Sequence, residues 1–148
     1  EPLIGVMYFP ALEETVYAAS GEGAWWNGRR ARVSDVSALD QALLLATDLD
    51  HIQREGYGDG FARLRARAGM LRTWGDCYGH ALVATGRAEV MLDPIMSVWD
   101  AAALQPIINE AGGSFTSWQG ERTHTGGSAV STNAALAKEV AQLLNSKS

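Results

Sequence analysis

A chain of 148 residues, 47% hydrophobic and 20% charged, has room for one domain with a real core. A net charge of −5 without any block of like charges argues against a sequence-independent grip on nucleic acid or acidic lipid, and no run approaches the roughly 20 apolar residues of a membrane helix. The single cysteine, Cys77, excludes an internal disulfide and fits a reducing compartment, so the expectation is a cytoplasmic protein.

In chain order, Leu3–Phe9 and Thr15–Ala19 are rich in Val, Ile, Tyr and Phe and predict an antiparallel hairpin across Pro10–Glu14. Asn27-Gly28 predicts a tight turn between two further extended pieces, and Gly21-Glu22-Gly23 reads as a turn. These strands carry apolar residues on both sides and so expect more sheet around them. Gln41–Thr47 predicts a buried strand that ends in a polar loop holding Asp48, Asp50 and His51. Gly58–Gly69 predicts an amphipathic helix stopped by Gly69, with the three arginines of RLRAR on a solvated face. Met70–Trp74 is the next strand candidate. Asp76 fits the cap of a following helix, and Gly86 fits the position past its end. RAEVMLDP predicts a strand ending at Asp93-Pro94. Ser97–Ala111 predicts a helix with Trp99, Leu104, Ile107 and Ile108 on its apolar face and a kink at Pro106. GSFTS and SAVSTN predict two more strands, with Asn133 capping a last helix whose apolar face is Leu136, Val140, Leu143 and Leu144. From Gln41 onward strands alternate with helices, which argues an α/β sheet covered on both faces.

In such sheets ligands bind beyond the strand ends, and Asp48, Asp76, Asp93 and Asp100 all fall at strand-to-helix transitions. Asp100 alone reads as a first-turn carboxylate meeting the helix dipole, or as one oxygen ligand of a hard cation. Asp93 reads as a turn residue, or as a carboxylate aimed into a cleft. Asp76 reads as a cap, or as part of a ligand contact with Gly75 and Cys77. Cys77 has no partner pattern for a nucleophile and reads as a small buried residue. His51, His80 and His124 show no metal-ligand spacing. Trp25 and Trp26 read as packing or interface residues, since no basic groove accompanies them.

VWDAAALQPIINEAGG and GDCYGHALVATGRAEVMLDP together resemble the inositol-monophosphatase-like superfamily of metal-dependent phosphatases. Trp99, Asp100, Ala102, Ile107, Glu110, Ala111, Gly112 and Gly113 match its signature W-D-x-A-x-x-x-x-I-x-x-E-A-G-G. SGEGAWWNGRRARVS resembles the family's G-x-G-A-x-x-N-G segment, and GSAVSTN its last strand. RTWGDCYG, LDPIMSVWD and GGSAVSTN look most like histidinol-phosphate phosphatases. The resemblance implies the layered α/β sugar-phosphatase fold and Mg²⁺-dependent hydrolysis of a phosphate monoester. It maps a metal ligand onto Asp100, and substrate contacts onto Asp93 and the Gly75, Asp76, Cys77 segment. Asp76 and Asp93 would suit the positive charges of an amino-alcohol imidazole substrate from histidine biosynthesis.

The resemblance is incomplete. The family's other metal ligands sit in an upstream glutamate and a D-P-x-D-G-T motif, and neither is in this sequence. The chain is therefore expected to be the C-terminal half of such an enzyme. Residues 1–38 would be strands of its N-terminal sheet, and 39–148 its C-terminal α/β lobe. One carboxylate cannot hold two magnesium ions against water, so the chain alone is expected to be inactive. An inositol or other sugar phosphate is the second substrate reading, and a non-catalytic binding module is the rival of another class. Family members are often dimers, which makes a homodimer the expected assembly of the full-length protein.

Overall fold

The computed structural model describes residues 1–146. β1 (Ile4–Phe9), β2 (Glu14–Ala19), β3 (Gly23–Trp26) and β4 (Arg29–Arg30) form an antiparallel four-stranded sheet in chain order. Asn27 and Gly28, at φ 46 and 78, make the left-handed turn that lets Trp26 pair with Arg29. The Asn27 side chain accepts from the Thr15 N–H at 2.7 Å and donates to the Glu13 carbonyl at 3.0 Å, so one residue ties two turns. Gly21 and Gly23, at φ 81 and 77, form the turn expected there.

The second sheet has five strands in the order β6-β5-β7-β9-β8. These are β5 (Leu43–Ala46), β6 (Met70–Thr73), β7 (Val90–Asp93), β8 (Ser114–Thr116) and β9 (Ala129–Thr132). β5 runs parallel to β6 and β7, whereas β9 is antiparallel to β7 and β8. The α/β reading holds, and the sheet is mixed.

Among the described residues five α-helices pack around it: α1 (Leu49–Arg54), α2 (Gly58–Arg67), α3 (Tyr78–Ala84), α4 (Val98–Glu110) and α5 (Ala137–Asn145). Alternation along the strands sets the layers. Leu44, Ala46, Val90, Leu92 and Val130 pack with Ile52, Leu64, Leu136, Val140 and Leu144 of α1, α2 and the α5 region. Leu45, Met91 and Ala129 share the other core with α3, α4 and the buried side of the first sheet, Met7, Val16, Ala18 and Ala24. α4 therefore lies between two sheets and buries Ala101, Leu104, Gln105, Pro106, Ile107 and Ile108. A Cβ on Gly5 would run into the Ala103 carbonyl, so glycine is what lets β1 lie directly on α4.

Three local expectations are corrected. The polar loop after β5 is α1, capped by the Asp48 carboxylate, which accepts the N–H groups of Asp50 and His51. Only Ile52 of α1 is buried, which leaves no periodic signal to read. Gly69 does not end α2 with a left-handed turn. A Cβ there would strike the Asp40 carbonyl, so close approach explains the glycine. Trp99 is not on the buried face of α4: it is 79% exposed. α4 is one continuous helix through Pro106.

Glu110, a fixed position of the signature, has a structural task. Its two carboxylate oxygens accept the N–H groups of Gly21 and Gly23, each at 2.8 Å, and so tie the end of α4 to the β2–β3 turn. Arg87 does the same for α3. It pairs with Glu14 at 2.8 Å and lies 4.3 Å over the Trp26 ring. Asn133 is not the cap of the last helix: α5 starts after Leu136 with no side-chain cap, and the Asn133 carboxamide oxygen accepts the Leu136 N–H at 3.0 Å in the turn that precedes it.

Candidate functional site

β5 and β7 are parallel neighbours at the middle of the sheet, so their C-terminal ends, Thr47 and Asp93, come out side by side. The chain before α3 and the first turn of α4 close over this edge. The result is a cavity of about 740 Å³. Its lining includes Gly75, Asp76, Cys77, Asp93 and Asp100, so the structure brings every predicted site residue to one place. It also includes Asp48, which the sequence placed at a strand-to-helix transition, and two residues the sequence did not single out for the site, Thr47 and His51. Val6, Tyr8, Ile95 and Trp99 supply an apolar rim.

Asp93 is 8% exposed, at the end of a strand buried along its whole length. Thr47 Oγ1 donates to its Oδ1 at 3.2 Å. Burial pushes the Asp93 carboxyl up to about 6, and the charges of Asp100 and Asp76 push the same way. Cys77 is half-buried, and its thiol is held above its ordinary value, first by burial and then by the charges of Asp76 and Asp100. The expectation of a plainly buried cysteine is thereby corrected to a cavity-lining one.

Asp76 is not the cap of α3. It sits at φ 54, a left-handed conformation that Asp tolerates better than most residues, and α3 starts after Cys77 with no side-chain cap. This turn aims the Gly75–Cys77 segment across the strand ends. Asp100 occupies the first turn of α4, whose N-cap Ser97 makes no side-chain cap bond. At the opposite wall Asp48 holds α1 by Oδ1, while its Oδ2 lies 3.5 Å from His51 Nδ1.

Among the described residues the cavity is thus walled by four aspartates with His51 as its one basic side chain. Such a surface attracts cations. Among the described residues no three His, Cys, Asp or Glu side chains group closely enough to hold a metal ion. These residues alone do not fit a complete magnesium site, and no chemical step through a metal is derived from them. The other two histidines lie elsewhere. His80 is fully buried against Ser131 Oγ at 2.7 Å, and His124 pairs with Gln105 at 3.0 Å. Among the described residues no helix is long and apolar enough to cross a membrane.

The family model described as "Inositol monophosphatase family" matches residues 1–148. A histidinol-phosphatase of Chlorobaculum parvum is 41% identical over 93% of this chain and 53% of its own length. A histidinol-phosphatase of Mycobacterium tuberculosis is 39% identical over 97% of this chain and 57% of its own. The solved structure of a Thermotoga maritima IMPase superposes with a TM-score of 0.83 at 30% identity, covering 96% of this chain and 55% of that one. The chain spans a little over half the length of these relatives.

Proposed function

The chain belongs to the inositol monophosphatase family, and on that premise we propose that it is part of a Mg²⁺-dependent phosphomonoesterase that converts histidinol phosphate and water to histidinol and phosphate. The observation that carries the substrate choice is the wall of four aspartates around the cavity. The non-phosphate end of histidinol phosphate carries an ammonium and an imidazole, and a carboxylate-lined pocket favours such groups over neutral polyols. The resemblance of this chain to two histidinol-phosphatases supports the same choice.

In this reading Asp93 and Asp76 hold the cationic end of the substrate. Burial keeps Asp93 partly protonated near pH 6, and an arriving cation draws it to the charged form. The Gly75–Cys77 backbone lies alongside, and Tyr8, Ile95 and Trp99 form the rim. Asp100 would give one carboxylate to a magnesium site whose other ligands lie outside these 148 residues. We also propose a cytoplasmic setting in histidine biosynthesis and a homodimeric full-length protein.

Hydrolysis of histidinol phosphate, inositol 1-phosphate and fructose 1,6-bisphosphate tests the reading. The assay compares the 148-residue chain with a polypeptide of the relatives' length carrying it, with Mg²⁺ and with EDTA. The expected result is no turnover by the 148-residue chain, and EDTA-sensitive turnover of histidinol phosphate in preference to the others by the longer one. Preference for inositol phosphate would replace the substrate assignment with the sugar-phosphate reading, which the likeness to the Thermotoga maritima IMPase supports. Binding of histidinol without turnover by the longer chain would favour a binding module.

A further inference from the structure

Thr47 carries none of the signature residues, yet it is the residue through which β5 meets the cavity. We propose that Thr47 is a positioning residue for Asp93, and through it a determinant of binding for the cationic end of the substrate; the second clause rests on the function proposed above.

The geometry starts in the sheet. Ala46 of β5 lies opposite Leu92 of β7, and the Thr47 N–H donates to the Leu92 carbonyl at 3.2 Å. That bond fixes the Thr47 backbone beside Asp93. A β-branched side chain has few χ1 choices, so the hydroxyl direction follows from the backbone. It donates to Asp93 Oδ1 at 3.2 Å, and among the described residues no other side chain donates to Asp93.

The need for a donor is electrostatic. Asp93 is almost fully buried, and the ionisable groups lining the cavity with it are Tyr8, Asp48, His51, Asp76, Cys77 and Asp100. Asp76 and Asp100 both disfavour its charge. The backbone N–H of Ile95 gives some relief, and Thr47 gives the larger share. Rotation about the terminal torsion of an Asp is otherwise soft. With one oxygen held by Thr47, the carboxylate plane is set and the second oxygen has a defined direction for a ligand. A valine at 47 would fill the same space, remove the donor and release the plane.

The test uses Thr47→Val and Thr47→Ser in the 148-residue chain, with L-histidinol as probe. Two readouts are taken: the ¹³C titration of the Asp93 carboxyl by NMR, and histidinol affinity by calorimetry. The Asp93 midpoint should rise in the valine variant and return in the serine variant. Affinity should fall roughly tenfold and recover in the same order, as loss of a hydrogen bond to a charged group predicts. Thr47→Ala repeats the measurement if the valine variant fails to fold. Unchanged titration and affinity without the hydroxyl overturn the proposal, and so does failure of serine to restore them. If no chain binds histidinol while the Asp93 titration still follows the hydroxyl, the substrate reading fails and the Thr47–Asp93 coupling stands.

Discussion

The two ends of β7 carry carboxylates buried to the same degree and treated in opposite ways. Glu89, just before the strand, is 7% exposed, and Asp93, its last residue, is 8% exposed. Glu89 is fully partnered. One oxygen takes the Ser34 hydroxyl at 2.8 Å and the other the Leu43 N–H at 2.7 Å. Asn133 extends the node by donating to Ser34 Oγ at 3.0 Å and to the Val36 carbonyl at 2.8 Å, while its own N–H meets the Glu89 carbonyl at 3.0 Å. That closed set ties the segment after β4, the start of β5 and the end of β9 together. Asp93 has one side-chain donor and faces other carboxylates. Equal burial therefore stabilises at one end and leaves an unmet interaction at the other, and an unmet interaction at a cavity is what a ligand can satisfy.

Removing Glu89 should break the molecule where removing Asp93 should relieve it. Glu89→Ala orphans a half-buried N–H and a half-buried hydroxyl, and is expected to cost about 3 kcal/mol in urea denaturation. A loss too small to resolve would mean that the node is not what holds these segments. Asp93→Asn should act in the other direction. The rise from an ordinary value of 3.8 to about 6 represents roughly 2–3 kcal/mol at neutral pH, so the amide variant should gain about 2 kcal/mol at pH 7.5. The same variant should lose histidinol binding. A destabilised Asp93→Asn variant would end the contrast with Glu89.

The acid limb of stability sharpens the contrast further. Asp93 titrates higher in the folded chain than unfolded, so its contribution is present below about pH 4 and is lost as pH rises through about 6. His80 is the reverse: burial lowers it from 6.5 to about 3, so its contribution is present above 6.5 and is lost as pH falls toward 3. Between pH 6 and 4 the two offset each other. Asp93→Asn should unmask the His80 limb, steepening the acid loss by about 1 kcal/mol per pH unit relative to the unsubstituted chain. Parallel denaturation profiles for the two chains would refute the Asp93 assignment.

Much of this was legible. Asn27-Gly28 and the Ser97–Ala111 segment carry local signals strong enough to survive folding. The candidate aspartates were legible because strand ends are read from hydrophobic runs, and the strand ends define the cavity. What was not legible depends on partners distant in sequence. Ser34 meets Glu89 across 55 residues, Gly21 meets Glu110 across 89, and Thr47 meets Asp93 across 46. No periodicity encodes such pairs. Trp99 misled for a related reason: α4 is covered by sheets on both sides, so an apolar residue on it need not face either one.

The smallest expected stability effect belongs to Asp76, and it is the cleanest test of a residue kept for ligand contact alone. Asp76 is exposed and sits at φ 54, so its backbone costs little as Asp and nothing as Gly. Asp76→Gly should therefore leave the denaturation midpoint within about 0.5 kcal/mol of the parent, because glycine's freedom in the unfolded chain offsets the relieved strain. Asp76→Ala keeps the strain without the side chain and should cost about 1 kcal/mol. Both variants lose the same carboxylate, so both should weaken histidinol binding equally. Equal binding loss at unequal stability would separate the charge of Asp76 from its conformation. Binding that instead follows stability would make Asp76 a turn residue and leave Asp93 alone at the cationic end of the cavity.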